Sequence, residues 1–295
     1  MATRPYQAHD VTLAAGNRLR YYEWFKQNQG SGPGLNLVLL HGSGSYGLQW
    51  EWVADHLDER IHVFALDQRG HGDSSRPDGE YSAEEGAADV EQFVSALGLG
   101  QIVIAGNSLG GRVAQVFAAS YPQQCAAAVI LAAHLSNFYH DRERMASVLR
   151  SACSMLNSPT EFASRDAAMA YLKETRGTRE TEASLNHRID HSMEQIGSGY
   201  RVKHDPVRVA QGLTHMAKDL RAYAARVTCP VLLVRSTIDS ELSPEIAGEL
   251  AGLWSRGQTV DVEGGYLLYV QNPEGTAQAI NAFVESLGGV AGQVR

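Results

Sequence analysis

The sequence predicts an α/β architecture built on a mostly parallel central sheet, and three observations carry that prediction. Runs that are apolar almost throughout, at 35–40, 61–66, 101–105 and 127–132, mark strands covered on both faces. Helix-compatible stretches at roughly 48–58, 82–97 and 109–121 alternate with them, as strand–helix–strand units require. The strand pattern then stops and resumes only at Pro230-Val231-Leu232-Leu233-Val234, so one sheet domain carries a long insertion.

Taken in order, Val11-Thr12-Leu13 and the run from Leu19 to Trp24 read as a hairpin across Ala15-Gly16-Asn17. A polar, Gly/Pro-containing connection over 27–34 leads into the first covered strand. Between His134 and Arg226 the sequence offers helical segments and no convincing strand, broken by Pro159, Pro206 and several glycines. After the strand at 231–234 come a helix beyond Pro244, a strand near 259–262 and a last helix from Pro273 to Leu287. The expected organisation is therefore a core domain over 1–133 and 227–295, with a helical cap over 134–226.

Composition narrows the function. The 295 residues carry a net charge of −8, from 25 Lys+Arg against 33 Asp+Glu, with 44% hydrophobic residues. An acidic chain without a basic run is a poor partner for nucleic acid or an anionic membrane, and both are excluded as primary partners. Cys125, Cys153 and Cys229 are too few and scattered for a disulfide framework, so a reduced, cytoplasmic setting is expected. Neither a signal-peptide core nor a membrane-length apolar run is read. His187 and His191 stand four apart in a charged helical stretch without a third ligand, and read as a solvated helix face. Without GxGxxG after a first strand, a P-loop or a metal set, no cofactor is implied. The expected partner is a small-molecule substrate, and a homodimer is left open.

Chemistry concentrates in Gly106-Asn107-Ser108-Leu109-Gly110, between the strand Ile102-Val103-Ile104-Ala105 and a helix. Glycines flanking a serine in that context describe a nucleophile elbow, a sharp turn that lifts the Ser108 hydroxyl onto a helix N-terminus. His41-Gly42-Ser43-Gly44 ends an earlier strand. The backbone N–H groups of Ser43 and Leu109 are the expected oxyanion hole, with Gly42, Trp50 and Asn107 at the substrate pocket. Asp67-Gln68-Arg69-Gly70-His71-Gly72-Asp73-Ser74 reads as a tightly bonded structural loop, and Arg112 as a structural pair.

These motifs, with the insertion, the Tyr200–Pro206 segment and the 230–244 run PVLLVRSTIDSELSP, resemble the α/β-hydrolase superfamily over essentially the whole chain. The resemblance implies an α/β-hydrolase fold and a triad in the order Ser, acid, His. Ser108 matches the nucleophile and Asp239 the acid, with Glu241 the alternative if the loop is offset. The histidine slot, in Val262-Glu263-Gly264-Gly265-Tyr266-Leu267, holds Tyr266.

That residue changes the chemistry. Imidazole titrates near neutrality and can shuttle the serine proton, whereas an ordinary phenol, with a pKa of about 10, is protonated at pH 7. Loss of a triad member leaves roughly 10³–10⁴-fold catalysis over water, so ordinary hydrolytic turnover is expected to be impaired. Four readings stand open. The chain is an enzyme of lyase, cyclase, transfer or C–C-cleaving type; an esterase-like or C–C hydrolase carrying a substitution at 266; a silent small-molecule binder; or a hydrolase in which another histidine, His134 at the end of a strand, supplies the base. The cap's Phe138, Tyr139, Met145, Met155, Phe162, Met169, Tyr171, Met193 and Met216 suggest a substrate with an apolar body, met by a few of them.

Overall fold

The computed structural model describes residues 4–25, 35–133, 141–238 and 242–291. Strands β1 (Gln7–Thr12) and β2 (Arg18–Trp24) form the opening hairpin. Then come β3 (Leu35–Leu40), a 3-10 turn at Gly47–Trp50, the single-turn helix α1 (Glu51–Ala54), β4 (Ile61–Leu66) and α2 (Ala83–Leu97). Strand β5 (Ile102–Asn107), helix α3 (Leu109–Ser120) and β6 (Cys125–Leu131) complete the first part of the sheet.

The next stretch holds α4 (Arg142–Asn157), β7 (Glu161–Phe162), α5 (Arg165–Arg176), α6 (Glu182–Ser192), β8 (Met193–Ile196) and β9 (Gly199–Val202). It ends with α7 (Pro206–His215) and α8 (Arg221–Ala224). The chain closes with β10 (Val231–Ser236), α9 (Pro244–Ala251), β11 (Gly257–Val262), α10 (Leu268–Gln271) and α11 (Pro273–Ala291).

The main sheet has eight strands in the order β1-β2-β4-β3-β5-β6-β10-β11. Only the β1–β2 and β2–β4 pairings are antiparallel; the rest are parallel. Alternation of side chains across a strand divides the core in two. Val38, Leu40, Ile104, Ile130 and Leu233 pack with α2 and α3 on one face. Leu37, Leu39, Val103, Val129 and Val234 pack with Trp50, Tyr269 and α11 on the other. Burial on both faces is why these strands read as continuous apolar runs. No helix among the described residues is long and apolar enough to cross a membrane.

The structure departs from three expectations. The stretch between β6 and β10 is not free of strands: β7, β9 and β8 form a small antiparallel sheet. Its strands are two to four residues long and rich in exposed polar side chains, too short for period-2 patterning to register. Its hairpin turns at Gly197, whose φ of 59° suits a residue without Cβ. The helix expected at 48–58 is only the 3-10 turn plus α1, because the chain turns away to hang the Asp58 N–H on Asn281 Oδ1 at 3.0 Å. His187 is not on a solvated face. Tyr46 OH lies 2.6 Å from its Nδ1, and its Nε2 sits 2.9 Å from Glu51, which ties α6 to the turn before α1.

Candidate active site

Ser108 stands between β5 and α3 with φ 54° and ψ −113°, one of two non-glycine residues at positive φ among those described. Such a conformation is costly for a residue with a Cβ, and the surroundings hold it. The Ser108 N–H donates to Leu131 O at 3.0 Å, and its carbonyl accepts from the Arg112 N–H at 3.1 Å. The glycines around it are steric requirements. A Cβ on Gly106 would stand 2.2 Å from the Gly110 backbone, and one on Gly110 would stand 2.3 Å from Leu40 O. The elbow thus packs α3 directly on the end of β3, and the loop after β3 comes beside the serine. A Cβ on Gly42 would meet Ser108 Cβ at 3.4 Å.

In that loop and in the one after β4, every imidazole nitrogen is committed. His41 Nδ1 donates to Gly42 O at 2.7 Å, and its Nε2 accepts from the Gln68 N–H at 3.0 Å. His71 Nδ1 donates to Arg69 O at 2.9 Å, and its Nε2 accepts from the Gly44 N–H at 3.0 Å. Burial holds the His71 ring down at about 4 and pushes His41 well below its ordinary range. Both are neutral structural pins. Asp67 receives the N–H of Gly47 at 2.6 Å and of Asp73 at 2.9 Å, and burial pushes its carboxyl up to about 6. Arg112 donates to the carbonyls of His215 and Lys218, a structural tie. Among the described residues the N–H groups of Ser43 and Leu109 donate to nothing. Leu109 is the first residue of α3, where no intrahelical acceptor exists.

Tyr266 reaches the serine. Its hydroxyl donates to Ser108 Oγ, and its backbone carbonyl accepts from Asn107 Nδ2 at 3.2 Å. The loop carrying it is fixed independently of the ring. Ile238 N–H donates to Gly264 O at 2.9 Å, Gly265 N–H donates to Gln271 Oε1 at 2.8 Å, and Gly264 takes φ 142°. Asp239, Glu241 and His134 lie outside the described residues.

A cavity of about 750 Å³ opens over this group and takes in Gly42, Ser43, Asn107, Ser108 and Tyr266. Its opposite wall comes from the stretch between β6 and β10, with Ser147, Ser151, Arg176, Arg179 and Arg188. Two expectations fail against that wall. None of the predicted methionines and aromatics of the insertion that are described lines it; Met193, Met169, Phe162 and Tyr171 pack in the insertion's own small core. Trp50 is fully buried and stacks at 4.5 Å on Tyr269, which lines the cavity, but Trp50 itself sits in the sheet core behind that ring and does not line it. The lining is polar and cationic where an apolar body was expected.

The arginines went unread because Arg176, Glu180 and Arg188, spaced four and eight along helical segments, look like an ordinary charged surface. The structure turns them inward. The Glu180 side chain is 0% exposed and that of Arg188 4%. Glu180 accepts from Arg188 (3.1 Å), Arg176 (3.3 Å), Ser184 (2.7 Å) and Gln49 (3.2 Å). Burial pushes its carboxyl up, but the two guanidiniums outweigh burial and hold it below the usual carboxylate range.

Comparison with known proteins agrees with the geometry. The family model described as alpha/beta hydrolase fold matches residues 36–273. The chain is 27% identical over 264 residues to 2-(acetamidomethylene)succinate hydrolase of Mesorhizobium japonicum, covering 88% of this chain and 91% of that protein. It is 24% identical over 280 residues to (E)-2-((N-methylformamido)methylene)succinate hydrolase of Acinetobacter baylyi, covering 92% and 96%. The crystal structure of an E-2-(acetamidomethylene)succinate hydrolase superposes with a TM-score of 0.82 at 25% identity, over 95% of this chain and all of that one. A serine elbow packed on a neighbouring strand end and a family match across most of the sequence lead to one assignment: the chain belongs to the α/β hydrolase fold family.

Proposed function

We propose that this chain is a cofactor-independent hydrolase that cleaves an ester, amide or activated C–C bond next to a carbonyl in a small organic substrate. Ser108 is the attacking group and Tyr266 carries its proton. The observation behind this reading is the Tyr266–Ser108 hydrogen bond inside the cavity, beside the unused N–H groups of Ser43 and Leu109. Relatives named for hydrolysing acetamido- and formamido-bearing succinates support it. The segment 134–226 serves as the cap.

Attack of Ser108 Oγ on the carbonyl carbon places charge on the carbonyl oxygen, where the Ser43 and Leu109 N–H groups receive it. For this step the phenol turns its proton from Ser108 Oγ to the leaving atom, and its oxygen takes the serine proton as the phenolic proton is passed on. The phenol is neutral before and after, and no strong base is formed. Water releases the acyl group by the same exchange in reverse. Imidazole has two nitrogens, one for serine and one for an acid; a phenol has a single oxygen. A tyrosine at 266 therefore offers no second N–H for an acid to orient.

A second reading follows from the direction of the hydrogen bond. Tyr266 donates to Ser108, which frees the serine proton to point at a substrate oxygen, an arrangement suited to non-hydrolytic cleavage of a substrate that needs no added nucleophile.

The test is steady-state turnover of p-nitrophenyl acetate by the natural chain, Ser108→Ala and Tyr266→His. A Ser108-dependent rate that rises at least a hundredfold in Tyr266→His supports the hydrolase reading. A Ser108-dependent rate that Tyr266→His does not raise favours the second. No Ser108-dependent rate in the natural chain or in Tyr266→His leaves a small-molecule binding protein.

A further inference from the structure

We propose that Arg188 and Arg176 form a carboxylate subsite in the cavity over Ser108, so that the substrate is an acid whose anionic group is held by the insertion while its carbonyl lies at the elbow. The inference rests on the reading of Ser108 as the reacting hydroxyl, and it deepens that reading by naming the substrate class.

Two guanidiniums converge on Glu180, whose carboxylate already takes four hydrogen bonds and has nothing left to give either of them. One positive charge is therefore unbalanced within this network. Arg188 adds a donor to Gly44 O at 3.0 Å and stands over the Tyr46 ring at 5.4 Å, yet its buried Nε has no partner among the described residues. Arg176, 32% exposed, shares the cavity wall with it, and the like charge of Arg188 pulls its guanidinium down to about 10. It remains charged at neutral pH. The buried Arg188 and the partly exposed Arg176 together carry more positive charge than Glu180 offsets, so an anion brought to them is stabilised, and a planar guanidinium matches a carboxylate in geometry as well as charge.

The rest of the lining favours the same ligand. Arg179 adds a third guanidinium, and Glu263, exposed on the Tyr266 loop, is the cavity's one described carboxylate. Arg188 also grips Gly44, the neighbour of Ser43. An anion seated at Arg188 thus lies one residue along the chain from an expected oxyanion donor. A substrate with a carboxylate and a carbonyl in the same small molecule would engage both at once.

Binding is measured by calorimetry with Ser108→Ala, using glutarate and its uncharged analogue glutaramide as probes, so that the result is independent of turnover. The expected result is at least tenfold tighter binding of glutarate, reduced at least tenfold by adding Arg176→Gln and partly restored by Arg176→Lys. Equal affinity for acid and amide, or glutarate affinity unchanged by Arg176→Gln, overturns the proposal. Should Arg176→Gln fail to fold, the acid–amide comparison alone decides. If acid selectivity holds while the natural chain shows no Ser108-dependent turnover, the anion subsite stands and the hydrolase reading falls.

Discussion

The two walls of the cavity are built by different means. The wall from the sheet holds Ser43, Asn107, Ser108 and Tyr266 through backbone: strand ends, glycine contacts and main-chain hydrogen bonds. The wall from the insertion holds Arg176, Glu180 and Arg188 through side chains that bond one another. A site positioned by backbone tolerates a changed side chain, because the loop at 264–266 is fixed by Gly264 O, the Gly265 N–H and the Tyr266 carbonyl. Histidine can become tyrosine there without the elbow collapsing. A site positioned by mutual ion pairs has no such tolerance, since each charge is the other's support.

Steric change on the sheet side is expected to have the largest effect. Gly110→Ala drives a Cβ to 2.3 Å from Leu40 O, between two buried backbones that cannot give. It should abolish soluble, folded protein, measured as yield and far-UV circular dichroism; a normal melt would show that α3 does not pack on β3 as closely as described.

On the insertion side, Glu180→Gln strands two guanidiniums without a counter-charge. Breaking a buried pair in this way costs about 3–5 kcal/mol, and urea denaturation should show a loss of that order. A loss below about 1 kcal/mol would mean that the network is solvated and that the contrast between the walls is weaker than described.

Two histidines, His71 and His204, give a pH dependence. His71 is held at about 4 and His204 at about 3, both first by burial, against about 6.5 in an unfolded chain. Their contribution is complete above about 6.5 and is lost as pH falls towards 4, about 3 kcal/mol for His71 alone. Asp67, raised to about 6, acts oppositely: its contribution is present below about 4 and lost as pH rises through 6. The two histidines outweigh it, so the melting temperature should drop between pH 7 and 4.5, and His71→Gln should flatten the drop. Parallel curves for natural chain and variant would refute this assignment.

A smaller effect sharpens the chemistry. Asp239→Asn should change the Ser108-dependent rate less than threefold in the natural chain, where the phenol has no second N–H to orient. In Tyr266→His it should cost at least tenfold, about 1.4 kcal/mol, a non-additivity measured by a double-mutant cycle. Equal effects in both backgrounds would mean that Asp239 acts through something other than residue 266.

The same division explains what the sequence made legible. Continuous apolar runs name strands buried on both faces, and Gly106-Asn107-Ser108-Leu109-Gly110 names its turn because only glycine fits those contacts. The tyrosine stood out because its loop is recognisable without it. Trp50 was misplaced because nearness in sequence to the His41–Gly44 loop says nothing of which sheet face a ring packs on. The short strands β7, β8 and β9 fall below the length at which alternation can be seen. Arg176, Glu180 and Arg188 were invisible as a cluster: charges at helical spacing suit a wet surface equally well, and only the docking of α5 and α6 over the elbow turns them inward.

The role of Tyr266 as proton carrier to Ser108 is tested by the rate at which Ser108 is acylated, followed by rapid mixing with p-nitrophenyl acetate and mass spectrometry of the intact chain and its Ser108 peptide. That role requires an acetyl group on Ser108 in the natural chain, formed at least tenfold more slowly in Tyr266→Phe, which keeps the ring and removes the hydroxyl. No acetyl on Ser108, or an equal rate in Tyr266→Phe, would contradict it.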